Sequence, residues 1–156
     1  ARLGWSLYTG EQVPDSLSKS WKKIVAAAEE ALGLLRARIP RQRTLLGYEV
    51  AQAARAKLGS SPDILPRPLG YNLNRDQHNF GVRFDNYLTH DDREIMPGMG
   101  FTLQPGIYKD TYALRTCANL FIRGDRQVKL SAPLQQEIIA VLAPASGADS
   151  LKAPSR

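Results

Sequence analysis

The histidines and the cysteine of this chain are the first candidates for acid–base or nucleophilic chemistry. The chain has two histidines, His78 and His90, and one cysteine, Cys117. An imidazole exchanges a proton near neutral pH and can act as a general base, and a thiol placed beside it can act as a nucleophile. No spacing in the sequence joins Cys117 to either histidine, so we expect a buried, inert thiol. His90 lies in the charged run 89–93 and is predicted at the surface.

Positive charge is concentrated in one short segment. The chain has a net charge of +6, and Arg36, Arg38, Arg41 and Arg43 lie close together around Pro40. Such a cluster can meet phosphate and makes a nucleic-acid partner possible, although no aromatic side chain lies among the arginines for base stacking. The alternative is a solvated turn at the end of a helix, where the macrodipole favours cations.

The bulk properties indicate one soluble domain. A chain of 156 residues can bury a proper core. A single cysteine excludes an internal disulfide framework and fits a reducing compartment. No apolar run approaches the ~20 residues that span a bilayer, and no signal-peptide pattern opens the chain. We expect a cytoplasmic protein, or one of an organelle interior if a leader was removed. Because the chain starts at Ala1, it could be a trimmed piece.

Two amphipathic helices are predicted before a series of strands. Asp15 or Ser16 is expected to cap the first helix, which Pro40 ends. Thr44 is expected to cap the second helix, which Gly59 ends. The apolar positions recur at helical spacing: Leu17, Trp21, Ile24, Val25, Ala28, Leu32 and Leu35 in the first helix, and Leu46, Val50, Ala53, Ala54 and Leu58 in the second.

The second half of the chain alternates between strand and turn signals. Strands are predicted at 101–103, 112–115, 119–122 and 127–130. The segment 135–142 could be a strand or a short helix, and residues 143–156 are predicted to form a flexible tail. Two helices followed by antiparallel strands indicate the α+β class.

Three segments carry recognisable motifs. The first is Gly70-Tyr-Asn-Leu-Asn-Arg-Asp-Gln-His78, the second is Asp85-Asn-Tyr-Leu-Thr-His-Asp-Asp-Arg93, and the third is Ile95-Met-Pro-Gly98. They resemble the G-H-x-x-G-x-x-x-H segment of the creatinase/aminopeptidase family, and the loop and L-x-P-G turn of its Xaa-Pro peptidase branch. Members of that family share the pita-bread fold.

Two further segments strengthen the resemblance. Phe101–Tyr108 matches the family's F-T-[IL]-E-P-G-[IV]-Y strand at every place except Gln104, and Leu114–Asn119 resembles its V-R-x-E-x-N hairpin. The resemblance implies that residues 1–142 form a partial pita-bread domain, truncated at its N-terminal side.

Members of this family hold two divalent metals between two Asp, one His and two Glu side chains, and the metals activate a water for amide hydrolysis. The resemblance places Tyr71 at the position of the His, and Gln104 and Cys117 at the positions of the two Glu. Arg2 falls at the position of one Asp, and the other Asp position falls before residue 1.

None of these residues suits a site for two hard cations. Gln104 keeps the shape of Glu but loses its charge, and the phenol of Tyr71 is a poor ligand for such metals. Arg2 would bring a permanent positive charge, and one thiolate at Cys117 does not make a metal site. The resemblance therefore predicts a domain without a dinuclear centre and without a cofactor.

Three functions remain open from the sequence. The first is a catalytically degenerate pseudoenzyme that acts as a binding or assembly subunit, with a protein partner or a second copy covering the truncated edge. The second is a metal-independent, creatinase-like enzyme. In that enzyme His78 is the general base, Tyr71 and Gln104 orient the substrate, and Arg115 or Arg2 binds a carboxylate. The third is an Xaa-Pro-type metallopeptidase that another chain completes.

Overall fold

Two helices and one face of an antiparallel sheet share a single hydrophobic core in the computed structural model, which describes residues 4–59, 67–74 and 81–142. The elements are β1 Leu7–Tyr8, α1 Asp15–Arg38, α2 Gly47–Leu58, β2 Gly70–Leu73, β3 Arg83–Phe84, β4 Gly100–Leu103, β5 Gly106–Tyr108, β6 Ala113–Arg115, β7 Ala118–Ile122, β8 Val128–Leu130 and β9 Ile139–Ala140. The α+β class is therefore confirmed.

Helix α1 buries the apolar face that its sequence predicts. Trp21, Ile24 and Leu35 are nearly or fully buried, because their 3–4 spacing puts them on one side of the helix. The predicted cap is wrong: Pro14 is the N-cap residue and no side chain caps this helix within the described part of the chain. The fixed φ of proline, here −58° with ψ at 142°, holds the extended turn that precedes the helix.

Helix α2 begins two residues later than its predicted cap would place it. The N-cap is Leu46 rather than Thr44, and the Leu46 N–H donates to Glu49 Oε2 at 2.9 Å. Leu45 is fully buried whereas Leu46 is half-buried. The predicted stop is confirmed at Gly59, whose φ of +84° lies in a region that glycine adopts without strain.

The main sheet has the strand order β3-β2-β4-β7-β8, with every neighbouring pair antiparallel. On one face Phe101, Leu103, Leu120 and Ile122 are buried in the core with the helices. Phe84 stacks on Phe101 with ring centroids 4.6 Å apart. This face fixes the register, since a slip by one residue would turn these side chains out of the core.

Two smaller pairs flank the main sheet. Strands β5 and β6 form an antiparallel hairpin, and β1 pairs in parallel with β9, with Leu7 opposite Ile139. The segment 135–142 therefore contains a strand and no helix. An isolated antiparallel bridge between Gly4 and Cys117 connects the segment before β1 to the residue that precedes β7.

Residues 143–156, where the tail was predicted, lie outside the described residues. No helix in the described ranges is both long enough and apolar enough to cross a membrane.

Candidate functional site

The positions where the family resemblance expects ligands meet on the face of the main sheet that points away from the core. Tyr71 on β2 is directly opposite Thr102 on β4, and Thr102 is directly opposite Asn119 on β7. Directly opposite residues of an antiparallel pair point to the same face. Tyr71, Thr102 and Asn119 therefore form a row across three strands.

Gln104 and Cys117 extend this face by two residues. Gln104 follows β4 two residues after Thr102, and Cys117 precedes β7 two residues before Asn119. Because strand side chains alternate, both belong to the face that carries Thr102 and Asn119. The Gln104 N–H donates to Leu69 O at 2.7 Å, which continues the β2–β4 ladder by one step. The strand register thus places Tyr71, Gln104 and Cys117 on one face of the main sheet.

The polar groups of this face are buried but unevenly satisfied. Thr102 Oγ1 donates to Asn119 Oδ1 at 3.0 Å, and both residues are buried. Gln104 is only 8% exposed, and its Oε1 has no hydrogen-bond partner among the described residues. A buried acceptor without a partner is unfavourable by about 1–3 kcal/mol.

The charged side chains at the paired positions of this face are both cations. Arg83 is opposite Tyr71 on β3, and Lys129 is opposite Phe121 on β8. No paired position on this face of the described strands is Asp or Glu. The nearest acid along β3 is Asp85, whose carboxylate accepts from the backbone N–H groups of residues 87–89.

The donor set does not fit a pair of hard divalent metals. Such metals prefer carboxylate and imidazole ligands, whereas Tyr71, Gln104 and Cys117 offer a phenol, an amide and a thiol. Nowhere in residues 4–59, 67–74 and 81–142 do three or more His, Cys, Asp or Glu side chains lie close enough to hold a metal ion.

Cys117 is buried, with 4% of its surface exposed, as predicted from its sequence context. Its backbone exchanges two hydrogen bonds with Gly4, at 3.1 and 3.2 Å. A Cβ at Gly4 would lie 3.1 Å from the Cβ of Cys117. The close approach of the Gly4 backbone covers the thiol on this side.

Of the remaining predicted site residues, Arg115 is the one that the structure describes, and it lies on β6, outside the main sheet. Arg115 is exposed on β6 and forms no ion pair with the described residues, so the expected orientation of acidic neighbours is not observed. His78 and Arg2 lie outside the described residues. The creatinase-like function with His78 as general base therefore remains a prediction.

His90 is a surface residue, as predicted. It is exposed and stacks on Tyr48 with ring centroids 4.2 Å apart. Its Nδ1 lies 2.8 Å from Asn86 Oδ1.

Two of the four clustered arginines stabilise the turn in which they lie. Arg38 pairs with Glu49 at 2.6 Å, and the Arg41 guanidinium donates to Ala37 O at 2.7 Å. Arg36 and Arg43 form no ion pair with the described residues. Nucleic-acid binding through Arg36, Arg38, Arg41 and Arg43 stays a prediction that the geometry does not test.

Sequence reasoning missed Thr102, Asn119, Arg83 and Lys129 as members of this face. The alternation of strand side chains could have found Thr102 and Asn119, because each lies two residues from a predicted ligand position. Arg83 and Lys129 reach this face through the pairing register of β3 and β8, which no pattern in the sequence predicts.

A buried acid near the helices was also missed. Asp91 is 2% exposed and accepts from Arg83 N at 2.7 Å and from Arg93 Nε at 2.9 Å. Burial alone would raise the pKa of the Asp91 carboxyl, but the hydrogen bonds from the Arg93 side chain and from the Arg83 and Arg93 backbones outweigh it and lower the pKa. The same contact raises the pKa of Arg93. This pair is structural, because it stabilises the loop next to α2.

Solved structures of Xaa-Pro peptidases have the same fold as this chain. The X-Pro aminopeptidase from Thermotoga maritima is 17% identical at a TM-score of 0.67, and the match covers 86% of this chain and 36% of that chain. A dipeptidase from Pyrococcus horikoshii is 19% identical at a TM-score of 0.65, with 83% and 34% covered. The Xaa-Pro dipeptidase from Bacillus anthracis is 17% identical at a TM-score of 0.65, with 86% and 36% covered.

These likenesses confirm the pita-bread fold that the motifs predicted. The chain spans about a third of the length of the proteins it resembles. No protein-family model matches the sequence, and no curated protein matches it. At such low identities the likeness shows the fold and leaves the activity open.

Proposed function

We propose that this chain is a catalytically degenerate pita-bread domain, without a dinuclear metal centre, that acts as a binding or assembly subunit. The observation that carries the proposal is the face of the main sheet, where Tyr71, Gln104 and Cys117 lie with two cationic strand positions and no paired carboxylate.

The electrostatics of this face support the proposal. Binding two dications normally requires anionic ligands that offset their charge and the cost of removing them from water. Here Tyr71, Gln104 and Cys117 offer no carboxylate, and Arg83, opposite Tyr71, adds positive charge on the same face.

Metal content is the direct test. The purified protein is dialysed with and without added Mn²⁺, Co²⁺ and Zn²⁺, and bound metal is measured by inductively coupled plasma mass spectrometry. We expect well below one metal per folded chain. About two metals per chain would overturn the proposal, because the ligands would then have to come from other residues.

A reversion variant tests whether Tyr71, Gln104 and Cys117 occupy the positions at which the family carries metal ligands. The triple variant Tyr71→His, Gln104→Glu and Cys117→Glu restores the ligand types of the family at those positions. If it remains folded by circular dichroism, we expect it to bind Mn²⁺ or Co²⁺ more tightly than the unchanged chain does. An isosteric control, Tyr71→Phe with Gln104→Met, should bind no more metal than the unchanged chain.

A further inference from the structure

The turn between α1 and α2 presents arginine side chains at one end of the helices. Arg36, Arg41 and Arg43 are exposed, and none of the three forms an ion pair with the described residues. Arg38, the fourth arginine of the segment, is paired with Glu49. Arg36, Arg41 and Arg43 are called the basic turn below.

The backbone of the basic turn is fixed by the fold. Ile39 is 3% exposed and anchors the turn in the core. The N–H groups of Arg41 and Arg43 both donate to Arg38 O, each at 3.1 Å. Because these bonds fold the chain back onto the last turn of α1, the arginines project from one compact segment, which lowers the entropic cost of binding a ligand.

A pair of stacked rings lies at the same end of the helices. Tyr48, in the first turn of α2, stacks on His90 with ring centroids 4.2 Å apart and an interplanar angle of 28°. His90 Nδ1 lies 2.8 Å from Asn86 Oδ1, so the imidazole is held at two points. His90 is exposed, and its second ring face has no ring contact with the described residues. An unpaired nucleobase can stack on such a ring.

The basic turn and the stacked rings are close enough for one short strand to reach both. Tyr48 follows Arg43 by five residues, so their Cα atoms are at most about 18 Å apart. Arg38 connects the two features, since its guanidinium donates to Glu49 Oε1, next to Tyr48, at 2.6 Å. About five nucleotides, at ~3.4 Å for each phosphate of a strand, cover this distance.

We propose that this end of the molecule binds single-stranded nucleic acid, with the basic turn on the phosphates and one base stacked on His90. Guanidinium groups match phosphate oxygens through paired N–H donors. Stacking requires a base that is not paired in a duplex, which favours a single strand. An acidic protein segment would satisfy the basic turn alone and would leave the exposed ring of His90 without a role.

Exposed acids limit the cationic part of this surface. Asp92 and Glu94 are exposed in the loop that follows His90, and Glu94 is bridged to Leu46 just before α2. They put negative charge beside the stacked rings, so we expect phosphates at the basic turn only. This predicts about three phosphate contacts, one for each arginine.

This inference names the partner in the binding role proposed above and rests on that role. Metal content and nucleic-acid binding are measured on different parts of the molecule. Either measurement can therefore contradict its own proposal while the other proposal holds.

The test is fluorescence anisotropy with labelled, unpaired oligonucleotides of about twelve nucleotides, one of RNA and one of DNA with the same sequence. We expect binding of at least one strand, and weaker binding of the duplex of that sequence. For three phosphates, the slope of log affinity against log salt should be about −2, a loss of roughly twentyfold between about 50 and 200 mM salt. The tighter of the two strands identifies the sugar that the site prefers.

Two variants separate the phosphate contacts from the base contact. The triple variant Arg36→Ala, Arg41→Ala and Arg43→Ala should bring the salt slope close to zero, because the phosphate contacts are lost. His90→Ala should weaken binding about tenfold with the salt slope unchanged, since stacking is not ionic. His90→Phe keeps a ring and should retain most of the affinity. Circular dichroism checks that each variant is folded.

A matched control removes the same charge from the other end of α1. Lys19, Lys22 and Lys23 are exposed there, and changing all three to Ala should leave the affinity and the salt slope unchanged. An equal loss in the lysine and arginine variants, tighter binding of the duplex, or no binding at low salt would overturn the inference. So would polyglutamate that binds as tightly as the oligonucleotides and does not respond to His90→Ala.

Discussion

At the scale of single residues, Gln104 shows most clearly how the site differs from a metal centre. It occupies the position where the family resemblance implies a Glu, and the backbone there is held by its N–H bond to Leu69 O at 2.7 Å. Within the described residues its buried Oε1 has no hydrogen-bond partner. The backbone at this position is thus held as a strand would hold it, while the side chain lacks the negative charge of a Glu.

Two variants of Gln104, to Met and to Glu, should therefore differ in their free energy of unfolding. Gln104→Met removes the orphaned acceptor at similar volume, and we expect it to match or exceed the unchanged chain in its free energy of unfolding. Gln104→Glu buries a carboxyl among neutral and cationic groups and should destabilise by about 1–3 kcal/mol at pH 7. Urea unfolding followed by far-ultraviolet circular dichroism measures the free energy of unfolding of both variants.

The pH dependence of Gln104→Glu provides the control. If the loss of stability in Gln104→Glu comes from desolvation of the charged carboxylate, the loss should become smaller as the pH is lowered and the carboxyl becomes neutral. A Gln104→Glu protein as stable as the unchanged chain at pH 7 would mean that Arg83 or another cation compensates the new charge, and would contradict this account of the site.

At the scale of elements, the loop between β3 and β4 accepts hydrogen bonds from the first turn of α2. The Tyr48 N–H donates to Asp91 O at 2.8 Å, and the Gly47 N–H donates to Arg93 O at 3.1 Å. These bonds satisfy N–H groups that the first turn of a helix leaves without partners. A Cβ at Gly47 would lie 2.2 Å from Arg83 O, so only glycine permits this close approach of helix and strand.

Asp91 holds that loop in place, and Asp91→Asn should destabilise the protein by about 2 kcal/mol at neutral pH. The pKa of Asp91 is lowered in the folded state, so its contribution is complete above the unfolded pKa of about 3.9 and is lost as the pH falls through the lower folded value. The difference between the unchanged chain and Asp91→Asn should therefore shrink below about pH 4. Thermal unfolding at several pH values measures it.

The exposed neighbour Asp92 offers the matched control for that experiment. Asp92→Asn should change stability by less than about 0.5 kcal/mol, since surface substitutions have small effects. An equal loss in Asp92→Asn and Asp91→Asn would show that net charge, rather than the contacts of Asp91, is responsible.

At the scale of the whole molecule, one continuous core links α1, α2 and the main sheet. Trp21 is 2% exposed within it and also reaches the β9 side of the molecule through its bond to Gln136 O. Such a shared core favours unfolding of the described elements in a single cooperative step.

Cooperative unfolding can be tested with a variant that isolates one tryptophan. In Trp5→Phe the fluorescence reports on Trp21 alone, and we expect its urea transition to coincide with the transition seen by far-ultraviolet circular dichroism. Two separate transitions would contradict a single core and would indicate that the sheet and the helices unfold independently.

The order and type of the elements could be predicted from the sequence, because the causes are local. The 3–4 spacing from Trp21 to Leu35 specifies the buried face of α1, and Gly59 specifies the end of α2. The helix starts could not be predicted as well. Pro14, rather than Asp15, is the N-cap residue of α1. The first N–H groups of α2 bond to the loop at Asp91 rather than to a cap at Thr44. For α2 the partners are distant in sequence, so no local pattern reveals them.

The sequence by itself determined that the positions implied as metal ligands hold Tyr71, Gln104 and Cys117, because residue identity and motif spacing are properties of the chain alone. Only the tertiary structure decided which other residues share their face, since Arg83, Thr102, Asn119 and Lys129 arrive there through strand register. The pairing of β1 with β9 depends on the fold in the same way, because Leu7 and Ile139 are far apart in the sequence and meet only in the folded chain.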